Sequence, residues 1–311
     1  MPDGARGPAR GLALPDRTAV EYLERARIHL DGARLVYTGG GDGPRRTGNV
    51  PHANIAVLML GPGTALTSGA ARCLAESGVH VVFTEDGAAS VHVAGLSAGP
   101  PGPWARRVFR IVDTPAARLA ATRVLVTARC RWVSDVGVSL GEDHLPVFAR
   151  KPIDRAVRKL EKDIKGAGCT QDLMSREARF ARDVERAFRD QAGALRDTAR
   201  VDGLVALGDR MIQGLTGATL SAMEIPQAFH LRHDPACDGG LAGDLGCVFR
   251  DAIVLPAALG VGLSGRPDPE RRFRDALTAS LERHRVIEAA SDLVARMTEA
   301  GEAASQPGSP A

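Results

Sequence analysis

With 311 residues and 44% apolar side chains, the chain can bury a sizeable core as one large domain or two ordinary ones, which excludes wholesale disorder. A net charge of +3 permits nucleic-acid binding without demanding it. The cysteines Cys73, Cys130, Cys169, Cys237 and Cys247 form no CxxC pair, which argues against a disulfide framework and a structural zinc site.

The opening MPDGARGPARGLALPDR lacks the apolar stretch of a signal peptide, and no uninterrupted apolar run reaches membrane-spanning length; the expected location is cytoplasmic. Residues 1–15 and 301–311 are rich in Gly, Pro, Ala and Ser and read as flexible tails. ERARIHLDGARLVYT predicts two strands around the Asp31-Gly32 turn. NIAVLMLGPG predicts a buried strand ending in a Gly-Pro-Gly turn, and TALTSGAARCLAESG a helix closed by Gly78. VHVVFTEDGAASVHVAG predicts a second hairpin turning at Asp86-Gly87. LSAGPPGPW is a linker by composition. Beyond it, a 3.6-residue period predicts helices over about 105–134, 152–165, 173–192, 202–223, 245–262 and 270–300. The expected architecture is α+β: a β-rich domain over 16–98, a linker at 99–104, and a larger α-helical, catalytic-type domain over 105–300.

Three features could carry chemistry. In LMSREARFARDVERAF, Leu173, Ala181, Val184 and Phe188 share one helical face with Glu177. A bare carboxylate there costs several kcal/mol, so it needs a cation, either a neighbouring arginine such as Arg176 or Arg179, or a metal. PQAFHLRHDP places His230 and His233 just past a strong helix, as ligands or as surface and capping histidines. Asp244 precedes an apolar helix, as a ligand or as an N-cap. Together they make a Glu, His, Asp set suited to Mg²⁺ or Mn²⁺ more than to zinc. The stretch RKPIDRAVRKLEKDIK has seven basic residues against three acids and reads as a solvated face or a phosphate-contacting surface.

The order of these segments resembles the CRISPR-associated spacer integrase family, nearest to its Cascade-type branch, from about Glu24 to about Leu263. ARIHLDGARLVYT and IAVLMLGPGTALTSGAARCLAESGVHVVFTEDGAASVHVAG match the family's strand pair, its apolar strand with a (G/E)PGT turn, its helix and its closing hairpin. The family's helix-borne glutamate matches Glu177. Its Tyr-Gly pair reads Gln213-Gly214 here, and its catalytic histidine, nineteen residues after that glycine, falls on His233. The first acid of its D-x-x-D motif matches Asp244 in DLGCVFRDAIVLP, with Pro256 at the expected spacing. Three departures stand out. The second acid is Cys247, the usual GFxH is HLRH, and an N-terminal tyrosine that helps fray DNA ends in close relatives aligns with Arg25.

The resemblance implies a metal-dependent DNA endonuclease and integrase that inserts short spacers into a CRISPR array. Mg²⁺ or Mn²⁺ would lie among Glu177, His233, Asp244 and Cys247. Arg25, Arg72, Arg176 and Arg179 would contact double-stranded DNA. It also implies a homodimer that works with a small ferredoxin-like Cas partner. The rival expectation is a catalytically degenerate relative that binds DNA or serves as a structural subunit, its site weakened through Cys247 and the rewritten histidine motif.

Overall fold

The computed structural model describes residues 18–39, 46–84, 91–93, 102–137, 150–191, 198–232 and 239–305. The chain divides into two compact units, Met1–Ala98 and Gly99–Ala311.

The first unit holds β1 (Thr18–Leu23), β2 (Ala26–Asp31), β3 (Arg34–Gly39), β4 (Arg46–Asn49), β5 (Ile55–Leu60), β6 (Ala65–Leu66), α1 (Ser68–Glu76), β7 (His80–Phe83) and β8 (Val91–Val93). The expected first hairpin is β2–β3, antiparallel from Ala26↔Gly39 to Asp31↔Arg34. Its turn runs through Gly32 at φ +60°, a left-handed conformation that glycine adopts without a Cβ penalty. The second expected hairpin pairs as β7–β8, and its turn at Asp86-Gly87 lies outside the described residues.

Sequence periodicity did not give the sheet topology. Two four-stranded sheets form among the described residues, ordered β1-β5-β7-β8 and β4-β3-β2-β6. β5 lies between parallel neighbours β1 and β7. A strand covered on both faces reads as a continuous apolar run rather than an alternation, and all six residues of β5 are buried. α1 follows the short β6 and is capped by Thr67, whose hydroxyl accepts from the Ala70 amide at 3.4 Å. The core joins Ile28, Leu35, Ile55, Leu58, Leu60 and Leu74.

The second unit holds α2 (Pro103–Asp113), α3 (Pro115–Trp132), a π turn (Val133–Gly137), α4 (Arg150–Lys165), α5 (Thr170–Gln191), α6 (Thr198–Ala222), α7 (Gly240–Phe249), a second π turn (Arg250–Val254), α8 (Leu255–Leu263), α9 (Pro269–Arg283) and α10 (Val286–Ser305). Two expected helices are each broken in two. The span 105–134 is interrupted at Thr114, which is extended before Pro115, as the residue preceding a proline prefers. The span 270–300 breaks where Arg285 takes φ +49°, and its second half runs on to Ser305, into the segment read as a tail.

The run Gly240–Leu263 is long and apolar enough, by length and composition alone, to cross a membrane, yet it is mostly buried inside the structure. Its second π turn sits just ahead of Pro256. A proline ring clashes with the carbonyl four residues back. The helix widens there instead, and the Leu255 amide donates to the Arg250 carbonyl. That widening carries Arg250 and Asp251 into the site described next.

Candidate active site

On α5 the expected stripe holds except at Ala181, which is half-buried while its neighbour Phe180 is buried. Leu173, Val184 and Phe188 are buried, and Glu177 among them is 2% exposed. The cation it requires is neither Arg176 nor Arg179. Arg176 turns outward to Asp172, with Nε donating at 2.8 Å, and Arg179 is exposed. Two arginines remote in sequence take their place. Arg129 on α3 donates through Nη1 to Glu177 Oε1 at 2.7 Å, and Arg232 donates through Nη2 to Glu177 Oε2. Both carboxylate oxygens are thereby engaged by guanidinium groups.

Arg129 also grips Asp251 in the second π turn, with Nε and Nη2 donating to Oδ2 at 2.9 and 2.5 Å. Arg250 extends the network, reaching Asp251 at 3.2 Å and Asp209 on α6 at 3.1 Å. Asp251 and Arg129 went unremarked in the sequence, although the argument applied to Glu177 covers them. Asp251 lies in an apolar run, and Arg129 falls four residues after the buried Leu125 on α3.

Asp244 is not an N-cap. α7 begins at Gly240, so Asp244 lies one turn inside it. The start is fixed by Gly239-Gly240: a Cβ on Gly240 would lie 2.0 Å from the Gln227 carbonyl oxygen, and the Leu241 amide donates to that carbonyl at 3.0 Å. Segment 226–232 is thereby pressed against α7. Asp244 Oδ2 accepts the Leu231 and Arg232 amides at 2.9 and 3.1 Å, and the Asp244 carbonyl accepts Arg232 Nη1 at 3.1 Å. Arg118 of α3 clamps the same segment, Nε donating to the Leu231 carbonyl at 2.5 Å.

The electrostatics follow from burial opposed by pairing. Burial alone would raise the Glu177 carboxyl, but attraction to Arg232 and Arg129 outweighs it and holds the group below the usual carboxylate range. Burial works against the charge on Arg129 and Arg232; Asp251 and Glu177 around the first, and Glu177 around the second, keep both protonated. Cys247, also coupled to these charges, has its thiol pushed up by burial despite Arg232 and Arg129, so it stands as a neutral thiol rather than a thiolate.

The residues expected to hold a metal are thus brought together only in part. Glu177 and Asp244 converge on one side chain, Arg232, and Cys247 is coupled to the same charges. His233 lies outside the described residues. His230 is half-buried, its Nδ1 without a hydrogen-bond partner among them.

The described residues do not fit a divalent cation. Glu177 has no uncommitted oxygen, one oxygen of Asp244 is taken by two amides, and no group of three His, Cys, Asp or Glu side chains among the described residues could share an ion. The carboxylates Glu177, Asp251 and Asp209 pair with the guanidinium groups Arg129, Arg232 and Arg250, while Asp244 is held through backbone amides and its own carbonyl. A divalent ion about 4 Å from one guanidinium would be repelled by on the order of 8 kcal/mol at an effective dielectric near 20.

Of the expected DNA contacts, Arg25 and Arg72 are exposed in the first unit and Arg179 on the second, while Arg176 is half-buried in its pair with Asp172. On α4 the apolar side, Ile153, Ala156, Val157, Leu160 and Ile164, is buried. Lys151, Arg155, Arg158, Lys159, Lys162 and Lys165 face solvent.

A strand-rich unit and a helical unit, with Glu177 and Asp244 both bonded to Arg232 inside the helices, define an α+β protein with a buried ionic site. The chain belongs to the family described as CRISPR associated protein Cas1, whose model matches residues 22–190. It is 26% identical to the CRISPR-associated endonuclease Cas1 of Pectobacterium atrosepticum over 287 residues, 85% of this chain and 87% of that protein. Its fold matches the TtCas1–DNA complex at TM-score 0.65 and 21% identity, over 89% of this chain and 90% of that one. It also matches a chain of a Cas6-RT-Cas1–Cas2 complex at TM-score 0.65 and 14% identity, over 94% of this chain and 36% of that longer one.

Proposed function

We propose that the chain works in CRISPR adaptation as a DNA-holding Cas1-type subunit, binding the spacer precursor and the CRISPR repeat, without metal-dependent cleavage or strand transfer in its own pocket. The observation that carries the second half is the saturation of Glu177 by Arg129 and Arg232. The first half is supported by family membership, by the structural likeness to the TtCas1–DNA complex, and by the solvent-facing cations of α4 with Arg25, Arg72 and Arg179. Such cations would contact phosphates, which position DNA without reading its sequence. The expected assembly is a homodimer joined to a small ferredoxin-like Cas partner, in keeping with the neighbouring Cas1–Cas2 complex.

A second reading, an active integrase using Mg²⁺ or Mn²⁺, is favoured by one observation: Glu177 and the Asp244 backbone carbonyl both bond to the one buried side chain of Arg232. Both readings are tested on one branched DNA substrate. Binding is followed across a salt series, and strand transfer is followed with Mg²⁺, Mn²⁺ or chelator. The expected result is affinity that falls steeply with salt, since each neutralised phosphate contributes a slope of about −0.9 in log K against log salt. Product formation should be the same with metal as with chelator. Metal-dependent transfer product would establish the second reading; salt-insensitive or absent binding would remove the first.

A further inference from the structure

We infer that Arg232 has taken over the place and the charge of a metal ion in this pocket, so that the site is a metal-independent ionic clamp. The inference deepens the DNA-holding reading but is tested without DNA. Arg232 is 4% exposed and reaches both acids expected to share a cation: its Nη2 meets Glu177 Oε2, and its Nη1 meets the Asp244 carbonyl. Its own backbone amide, with that of Leu231, occupies Asp244 Oδ2. A divalent ion between α5 and α7 would need those same oxygens.

Two of the departures, Cys247 and the HLRH segment that carries Arg232, act together. Arginine at 232 supplies a fixed positive charge, and position 247, where the resemblance expects a second acid, carries cysteine. Arg129 completes the substitution by binding the other Glu177 oxygen, Oε1, and tying it to Asp251. A planar guanidinium with several donors can bridge an acid and a carbonyl in fixed directions, which suits it to this exchange better than a lysine. The clamp joins α3, α5, α7, the second π turn and segment 226–232, holding in place the chain that leads to His233.

The full chain, free of DNA, is titrated with Mn²⁺ by calorimetry and by the loss of free-ion paramagnetic resonance signal. Melting is followed with Mn²⁺ and with chelator. The native chain should take up no stoichiometric Mn²⁺, and its Tm should be the same in both conditions. Arg232→Val should lower Tm by about 10 °C by leaving Glu177 half-paired. Arg232→Val combined with Cys247→Asp should bind one Mn²⁺ per chain and recover Tm when Mn²⁺ is added. Stoichiometric Mn²⁺ uptake by the native chain, lost in Glu177→Gln, would overturn the inference, and so would a folded double variant that still ignores Mn²⁺. The native titration decides the matter even where the variants fail to fold. Because no DNA enters the experiment, failure here leaves the DNA-holding role standing, and loss of DNA binding leaves the clamp standing.

Discussion

In the first unit β5 buries six consecutive side chains, Ile55–Leu60, none of them charged. In the second, α3, α5, α7 and the π turn meet around Arg129, Glu177, Asp244, Asp251 and Arg232, each at most 5% exposed. The two interiors fail differently when altered. An apolar core loses transfer free energy and gains a cavity, a loss graded by the volume removed. A buried ion cluster responds to the parity of its charges. Removing one member leaves a desolvated charge without a partner, which costs more than the cluster as a whole contributes.

The largest effect expected from that contrast is at Glu177. Glu177→Ala leaves the buried Arg232 without its carboxylate partner and Arg129 with Asp251 alone, and should cost about 3–5 kcal/mol, read as a drop in the urea midpoint of the helical unit. A loss below about 1 kcal/mol would place the clamp among surface pairs, which are worth that much or less. Next comes Leu58→Ala in β5, expected to cost about 3 kcal/mol through the cavity it opens between parallel strands; hydrogen exchange on the β5 and β7 amides locates that loss in the first unit.

Acid sharpens the comparison further. The folded Glu177 carboxyl sits below its ordinary value of 4.5, so the unfolded chain binds the proton more readily. Its contribution is therefore present above about pH 4.5 and lost as pH falls through the folded value. Glu177→Gln should flatten the acid limb of stability against pH, whereas Leu58→Ala should shift that limb without changing its shape. Parallel acid limbs in native and Glu177→Gln chains would contradict the assignment. The smallest effect is chemical. Cys169 is exposed and should react with a maleimide at neutral pH well before Cys130 and Cys247, whose thiols are pushed up by burial, Cys130 to about 12. Mass mapping of the labelled peptides checks the order.

The elements that were legible in the sequence owe it to local periodicity. The Asp31-Gly32 hairpin, the buried run of β5, α1 with Gly78 after it and the amphipathic α5 all declare themselves within a few turns of chain. The breaks at Thr114 and Arg285 were harder. Pro115 does announce a boundary, but a helical period on both sides masks it, and the left-handed Arg285 has no glycine to mark it. The need for a cation beside Glu177 was also legible, because an acid on an apolar stripe cannot stay bare.

By itself, then, the sequence determined where apolar faces lie, where turns fall, and that Glu177 must meet a positive charge. Tertiary structure alone decided which charge. Nearby Arg176 and Arg179 point along and away from their own helix, whereas Arg129 and Arg232 arrive from 48 residues before and 55 residues after. Helical periodicity fixes only the direction in which a side chain leaves its own axis. Which of the chain's many arginines fills the space opposite is set by how α3 and segment 226–232 pack onto α5, a matter of contacts between distant stretches that no local pattern encodes.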